Sequence, residues 1–360
     1  MITILSGGTG TPKLIQGIKE IYPEEDITVI VNTVENLYMS RGYIAADIDT
    51  VMYTFADMID EEFWYGIKGD TYIVREQLIE MGTTELLRLG DKDRATKLQK
   101  AILLEEGWTL SDIVEFQKDK LGVKANIIPM SDEESEISIV TKEHGEIEFH
   151  DFLIKYQCNC EVLEVKYGDV KPSPKIIEAI EKADKVIFGP SNPITSIRPI
   201  ISIDGVEDAL KEKEVIAVSP FVGKSAFSGP AGQFMNAFGY ETSSKGVAEL
   251  YKSFLNTLVI DNQDEEFKKE IIKCSNDEEC ILSIHRSGEN TRYNFKADEH
   301  AMYSDFWHNP INYNGEFTWK RVEELLEKGL WEIYPSGKRT IMKMFNVEFI
   351  IEAYFLTDIN

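Results

Sequence analysis

The sequence predicts an α/β fold built on a doubly wound, mostly parallel sheet. Two observations carry this. First, the apolar run at residues 2–5 enters a Gly-rich turn, Ser6-Gly-Gly-Thr-Gly-Thr-Pro-Lys13. Leu14, Ile15, Ile18 and Ile21 then recur at helical spacing, and a second apolar run spans Ile27 to Val31. Strand, Gly-rich loop, helix and strand in that order open a parallel sheet. Second, two further short apolar runs, Val186–Phe188 and Val215–Val218, each end in a loop of small residues, as strands do at the ligand-binding edge of such a sheet.

Between these halves the chain changes period. Residues 50–125 read mostly as helices. Val51, Tyr53, Phe55, Met58 and Ile59 suggest one of them, and Thr109-x-x-Asp112 forms a capping box for another. Residues 124–165 switch to short alternating runs, Glu146–Ile154 among them, which read as strands. Ser173 and Pro174 read as N-cap and first position of a helix carrying Ile176, Ile177, Ile180 and Ala183. A helix after Ser243-Ser244 and a strand at Thr257–Ile260 complete the βα series. From about residue 262 charge density rises and the rhythm fades, so a boundary is placed near Asp264.

Composition narrows the function classes. The 360 residues are 43% hydrophobic and 28% charged, ordinary values for a globular enzyme. No apolar run approaches the ~20 residues needed to span a bilayer. The first residues carry no basic segment ahead of a long apolar one, so a cytoplasmic setting without a signal peptide is expected. A net charge of −25 repels nucleic acid and anionic membranes. It also repels anionic substrates, so a phosphate site must rest on local amides, a few cations or a metal. Cys158, Cys160, Cys274 and Cys280 lack zinc-site spacing and are expected as free thiols.

Five segments can carry chemistry. In the Ser6–Lys13 turn, glycines let backbone approach a ligand, helix N-terminal amides attract phosphate and Lys13 adds a charge; a plain tight βα turn fits equally well. Gly189-Pro-Ser-Asn-Pro-Ile-Thr-Ser196 and the Ser219–Ser228 loop end neighbouring strands and suggest a shared crevice, although Asn192 and Ser191 also suit helix capping. Asp47-Ile-Asp49-Thr50 sets two carboxylates one residue apart. In extended backbone they share a face, fit to hold Mg²⁺ or to act as a base; helix capping is the alternative. Arg88-Leu-Gly-Asp91-Lys-Asp93-Arg94 reads as a charged interhelix turn, and Pro129-Met-Ser-Asp132 offers one more carboxylate.

Taken together, the stretches SGGTGTPKL (6–14), VNTVEN (31–36), DIDTVMYTFADMID (47–60), WYGIKGDT (64–71), LRLGDKDRAT (87–96), IIPMSD (127–132), GPSNPITSIRPII (189–201), AVSPFVG (217–223), SGPAGQFM (228–235), SSKGVAELY (243–251) and VIDNQD (259–264) resemble the 2-phospho-L-lactate transferases of coenzyme F-420 biosynthesis. The resemblance implies a Rossmann-like core, commonly dimeric. It implies that lactyl-(2)-diphospho-(5′)-guanosine gives its phospho-lactyl group to the ribityl hydroxyl of the deazaflavin Fo with Mg²⁺ as cofactor, releasing F-420-0 and GMP. Carried over by motif, Asp49 and Arg88 contact Fo. For this reaction we expect Mg²⁺ on Asp49 together with Asp47, or Asp49 as the catalytic carboxylate that accepts the ribityl proton. Gly7, Gly8, Thr9, Gly10, Thr11, Lys13, Gly189, Ser191 and Asn192 face the nucleotide. No nucleic acid or membrane partner is implied.

The chain departs from the family pattern where it has Asn36, Arg41 and Gln233. Two alternatives stay open: a nucleotide-sugar-binding regulator of the gluconeogenesis-factor type, which shares the Gly-rich opening and the core, and a degenerate paralogue, which rests on these departures. The expected organisation is a core over residues 1–264, a peripheral insertion over 265–345 and a final strand within 346–360 returning to the core.

Overall fold

The computed structural model describes residues 1–264 except 84, 86, 224, 227–229 and 262, together with the strands Ile281–His285, Glu332–Ile333 and Thr340–Ile341. Seven strands form the central sheet: β1 (Ile2–Ser6), β2 (Ile27–Val31), β3 (Asn126–Pro129), β4 (Lys185–Phe188), β5 (Glu214–Val218), β6 (Thr257–Asp261) and β7 (Ile281–His285). Their order is β7-β6-β5-β4-β1-β2-β3, and every pairing is parallel. All five residues of β1 and of β2 are buried. A parallel sheet covered on both faces requires such continuous apolar runs. Alternate side chains feed two cores: Leu5, Ile30, Val186 and Phe188 on one face, Ile4, Val29, Ile187 and Ile216 on the other.

The chain runs outward from β1 through β2 to β3, then returns and runs the other way from β4. The strand order therefore reverses between β1 and β4, where a crevice opens at the carboxyl edge of such a sheet. β7 lies in the segment expected as a peripheral insertion, yet pairs with β6 from Thr257↔Ile281 to Asp261↔His285. The central sheet thus continues past Asp264. The expected final strand within 346–360, like Cys274 and Cys280, lies outside the described residues.

The insertion between β2 and β3 holds a hairpin, Leu37–Met39 with Gly42–Ile44, followed by α2 (Ala46–Phe55), α3 (Ile73–Glu80), α4 (Asp91–Glu105) and α5 (Leu110–Leu121); α1 (Gly10–Ile18) links β1 to β2. The Thr109 side chain accepts from the Asp112 amide as the expected N-cap, and the Asp112 carboxylate accepts from the Thr109 hydroxyl at 2.8 Å in place of the reciprocal backbone bond of a capping box. The ends of α3 and α4 exchange caps. Asp70, ahead of α3, accepts from the amides of Lys92 and Asp93 in the first turn of α4. Asp91, the first residue of α4, accepts from the amides of Ile73 and Val74 in the first turn of α3. Each helix start thereby gains an acceptor for donors that have no partner inside the helix.

Three local expectations change. The run Glu146–Ile154 is not one strand: a strand ends at Glu148 and a wide helical turn spans Asp151–Lys155. Phe149 just before that turn and Phe152 within it pack on Phe234, with ring centroids 6.1 and 5.5 Å apart. The helix expected from Ser173 opens at Ile176, and the Ser173 carbonyl accepts from the Ile176 amide instead. Asp47 and Asp49 lie inside α2 rather than before it. The small antiparallel sheet, Ile137–Thr141 flanked by Gly145–Glu148 and Val162–Tyr167, is as the alternation suggests.

The two residues closing the first hairpin, Ser40 and Arg41, have φ of 52° and 67°. A side chain in this left-handed region costs about 1 kcal/mol, which glycine avoids. We therefore expect Arg41→Gly to stabilise the protein by roughly 0.5–1 kcal/mol, read as a higher urea midpoint at unchanged slope.

Candidate active site

The loops after β1 and β4 interlock. The Gly7 amide donates to Ser191 Oγ at 3.1 Å, and Thr11 and Ser191 share a hydrogen bond of 2.7 Å. Backbone meets backbone here. A Cβ on Gly10 would lie 1.9 Å from the Pro190 carbonyl oxygen, and one on Gly8 2.3 Å from a carboxylate oxygen of Asp47. These glycines serve first to bring two loops and α2 together. Gly189 adjoins the Thr11 side chain in the same way. Asn192 caps the turn Pro193–Ile197, its Oδ1 accepting from the Ile194 and Thr195 amides at 3.0 and 3.2 Å. The side chains of Ser191 and Asn192 are thus engaged in building the crevice, which leaves the start of α1 as its anion-facing element.

Thr9, the exposed residue before α1, makes no side-chain cap, and among the described residues no acceptor outside the helix reaches the Gly10 and Thr11 amides. Those amides present partial positive charge to the crevice. Lys13, one turn on, is buried with its ammonium 5.1 Å from the centroid of the Trp64 ring. Burial lowers its pKa to about 8, so it carries its charge near neutrality.

Asp47 and Glu35 form the acidic side of the crevice. Asp47 is buried, and its carboxylate accepts from Asn32 Nδ2 at 3.1 Å; Asn32 follows β2 directly. Burial pushes the Asp47 carboxyl up to about 7, with the Asn32 hydrogen bond opposing. Burial, and next the charge of Asp47, hold the Glu35 carboxyl well above its usual range, while a hydrogen bond with Thr195 opposes the rise. Two neighbouring carboxylates raised by burial, Glu35 also by the charge of Asp47, favour a shared proton or a bound cation.

Asp49 belongs to a different environment. The expectation that Asp47 and Asp49 share a face assumed extended backbone. In a helix, residues two apart point about 200° apart, so the two carboxylates diverge. Asp49 faces α4, where it pairs with Lys100 and, at 3.2 Å, with Lys97. Lys97 also pairs with Asp93, which accepts from the Tyr53 hydroxyl at 2.9 Å. All of these side chains are buried, and Lys100 is wholly so. Burial alone would raise the Asp49 carboxyl; Lys100 and Lys97 outweigh it and hold it below its ordinary value. Asp49 is thereby kept charged and a weak base.

Arg88 is exposed, its guanidinium 4.3 Å from the Tyr72 ring centroid and 5.6 Å from that of Phe63. No hydrogen bond or ion pair joins it to Asp47 or Asp49 among the described residues. The departures from the family pattern have ordinary local roles: Asn36 donates to the Tyr43 hydroxyl at 3.3 Å, and Gln233 to the Cys158 carbonyl at 3.1 Å. The structure therefore brings together the Gly7–Thr11 loop, the Gly189–Asn192 loop and Asp47, and leaves Asp49 and Arg88 apart from them. It adds Asn32, Glu35 and Thr195, which lie within the stretches 31–36 and 189–201 but carry no role in the sequence reading. The position of Asn32 and Glu35 just beyond a buried strand was the available signal. Lys97 and Lys100 gave none, because lysines on a helix read as solvated.

Two variants test this geometry. Asp49→Asn leaves the buried Lys100 without its carboxylate, so we expect a loss of about 3 kcal/mol in urea unfolding. Asp49→Asn combined with Lys100→Met should recover more than half of it. For Asp47 the folded pKa of about 7 stands above the unfolded 3.8, so the native state holds the extra proton and stability falls as pH rises through that window. Asp47→Asn should accordingly raise the melting temperature more at pH 8 than at pH 5, by roughly 5 °C.

Comparisons with known proteins agree with this architecture. The family model described as 2-phospho-L-lactate transferase CofD matches residues 2–291. The chain is 56% identical over 273 residues to the 2-phospho-L-lactate transferase of Methanothermobacter thermautotrophicus, covering 76% of this chain and 89% of that one. It is 51% identical over 277 residues to the enzyme of that name from Methanocaldococcus jannaschii, covering 75% and 89%. The crystal structure of a UPF0052 family member from Bacillus halodurans superposes with a TM-score of 0.53 over 79% of this chain and 92% of that one; at 14% identity it supports the fold alone. With an interlocked glycine crevice at the strand-order reversal and relatives this similar over most of the chain, the protein belongs to the CofD family of transferases.

Proposed function

We propose that the protein transfers the phospho-lactyl group of lactyl-(2)-diphospho-(5′)-guanosine to the ribityl hydroxyl of Fo, releasing F-420-0 and GMP. The observation that carries this reading is the pairing of an uncapped helix start with two raised carboxylates, Asp47 and Glu35, across one crevice. A diphosphate needs both: amides for its oxygens and a hard cation to offset its charge.

The residues fit Mg²⁺. Asp47 and Glu35 offer oxygen donors, and burial raises both carboxyls, the Asp47 charge adding to the rise at Glu35, so a cation between them would favour their ionised forms. Among the described residues no third His, Cys, Asp or Glu side chain joins them, which suits an ion that takes its remaining oxygens from substrate phosphate and water. When bound, Mg²⁺ supplies charge neutralisation at the diphosphate. We place the metal on Asp47 with Glu35, not on Asp47 with Asp49, because Asp49 is held by Lys97 and Lys100.

In the transfer itself, the bond that forms joins the ribityl oxygen to the phosphorus bearing the lactyl group. The bond that breaks joins that phosphorus to the GMP oxygen, which leaves with the bonding electron pair, and the ribityl hydroxyl's proton passes to water. The amides at the start of α1 and the Lys13 ammonium hold diphosphate oxygens. Asp49 fixes α2 against α4 and so sets where Asp47 stands. Arg88, already displayed on aromatic rings, is the exposed cation for the acceptor side.

Incubating the protein with Fo, Mg²⁺ and the guanosine donor should release GMP and form F-420-0. Asp47→Asn should lower kcat at least a hundredfold, about 2.7 kcal/mol, while the protein stays folded. Equal affinity for GDP and UDP with no turnover would instead indicate a nucleotide-binding regulator.

A further inference from the structure

The turn that follows α2 carries three consecutive aromatic residues, Phe63, Trp64 and Tyr65. An antiparallel bridge, Ile59↔Ile67, closes it, and the Lys68 amide donates to the Met58 carbonyl at 2.8 Å. Phe63 and Tyr65 are 41% and 44% exposed, whereas Trp64 is 1% exposed. The backbone of Trp64 makes that difference: its φ of 57° lies in the left-handed region, and its amide donates to the Asp60 carbonyl at 2.8 Å.

Trp64 is a costly residue at this position. A bulky side chain rarely occupies the left-handed region, and such strain persists where the surroundings over-determine it. The indole N–H is also buried with no hydrogen-bond partner among the described residues. A leucine would fill the space among Tyr53, Ile59 and Ile67 without that unpaired donor. What Trp64 supplies and leucine lacks is a ring face, and the Lys13 ammonium lies 5.1 Å from its centroid. Tryptophan attracts a cation more strongly than the other aromatic side chains do, most of all where water is excluded, and Lys13 is 4% exposed. A ring face holds an ammonium without cancelling its charge, as a carboxylate would. The same turn grips α1 at a second point. Gln16, on the Lys13 face of the helix, donates to Glu61 at 2.7 Å.

We propose that Trp64 is a positioning residue: its indole face fixes the Lys13 ammonium at the crevice with its charge intact for the diphosphate of the donor. The assignment rests on the transferase reading above, in which Lys13 holds diphosphate oxygens.

Trp64→Leu removes the ring and Trp64→Phe keeps one. Calorimetric titration of the full chain with GDP and Mg²⁺ between pH 6.5 and 9, beside the wild type, reads both affinity and its alkaline limb. We expect Trp64→Leu to lose about tenfold in affinity, and Trp64→Phe about threefold or less. The alkaline midpoint, near the Lys13 value of about 8, should fall by about half a unit in Trp64→Leu, because the ring face favours the protonated amine. A folded Trp64→Leu protein with wild-type affinity, or with lost affinity at an unmoved midpoint, overturns the assignment; the second result marks a packing role only. If Trp64→Leu misfolds, fluorescence decides. The emission that the wild type loses in Trp64→Phe belongs to this indole. It should change near pH 8, and stay flat when the same difference is taken in a Lys13→Met background, which separates Lys13 from the neighbouring Tyr53 and Glu61. Flat emission in the wild type overturns the assignment. If the wild type binds no GDP at all, the transferase reading falls, and the role of Lys13 at a diphosphate falls with it, whatever the emission shows.

Discussion

The close approach of two backbone turns governs this structure. The Gly10 turn lies against the Pro190 carbonyl, and Gly8 lies against the Asp47 carboxylate, with no room for a methyl group at either point. Everything in the crevice follows from that contact. It sets the start of α1 between the two halves of the sheet, draws α2 over the carboxyl edge, and brings Asp47 to Glu35. Ser191 and Asn192 hold the second turn in the shape that makes the contact possible.

The fold was legible because its strongest signals are periodic. Five-residue runs such as ITILS and ITVIV, buried throughout, have one plausible place, a covered parallel sheet. The Gly-rich turn and its partner after Phe188 were legible as strand-end loops. Their mutual packing was not, because a glycine that admits a neighbour's carbonyl looks the same in sequence as one that admits a phosphate. Asp47 and Asp49 show the cost of the wrong period: two residues apart they share a face in a strand and oppose each other in a helix. β7 escaped notice because the segment around it has no flanking βα rhythm to announce a strand.

Charge placement was the least legible feature. In α4 the side chains turned inward include Asp93, Arg94, Lys97 and Lys100, a pattern that hydrophobic periodicity assigns to solvent. The partners lie far along the chain: Asp49 for the lysines, and Glu85 for Arg94. Burial on this scale is tolerable only because the charges balance, with Asp49 and Asp93 against Lys97 and Lys100. Such a network orients α2 more firmly than an apolar contact would, since each ion accepts few geometries.

The exchange of caps between α3 and α4 has a consequence for how this region opens. Asp70 precedes α3 and holds the first amides of α4, while Asp91 begins α4 and holds the first amides of α3. Neither helix can fray at its start without releasing an acceptor from the other. α3 buries none of its own residues, so these crossed bonds are a main tether for it. The two helix starts are therefore expected to open together, so amide exchange at Lys92 would report on the integrity of a helix some twenty residues away.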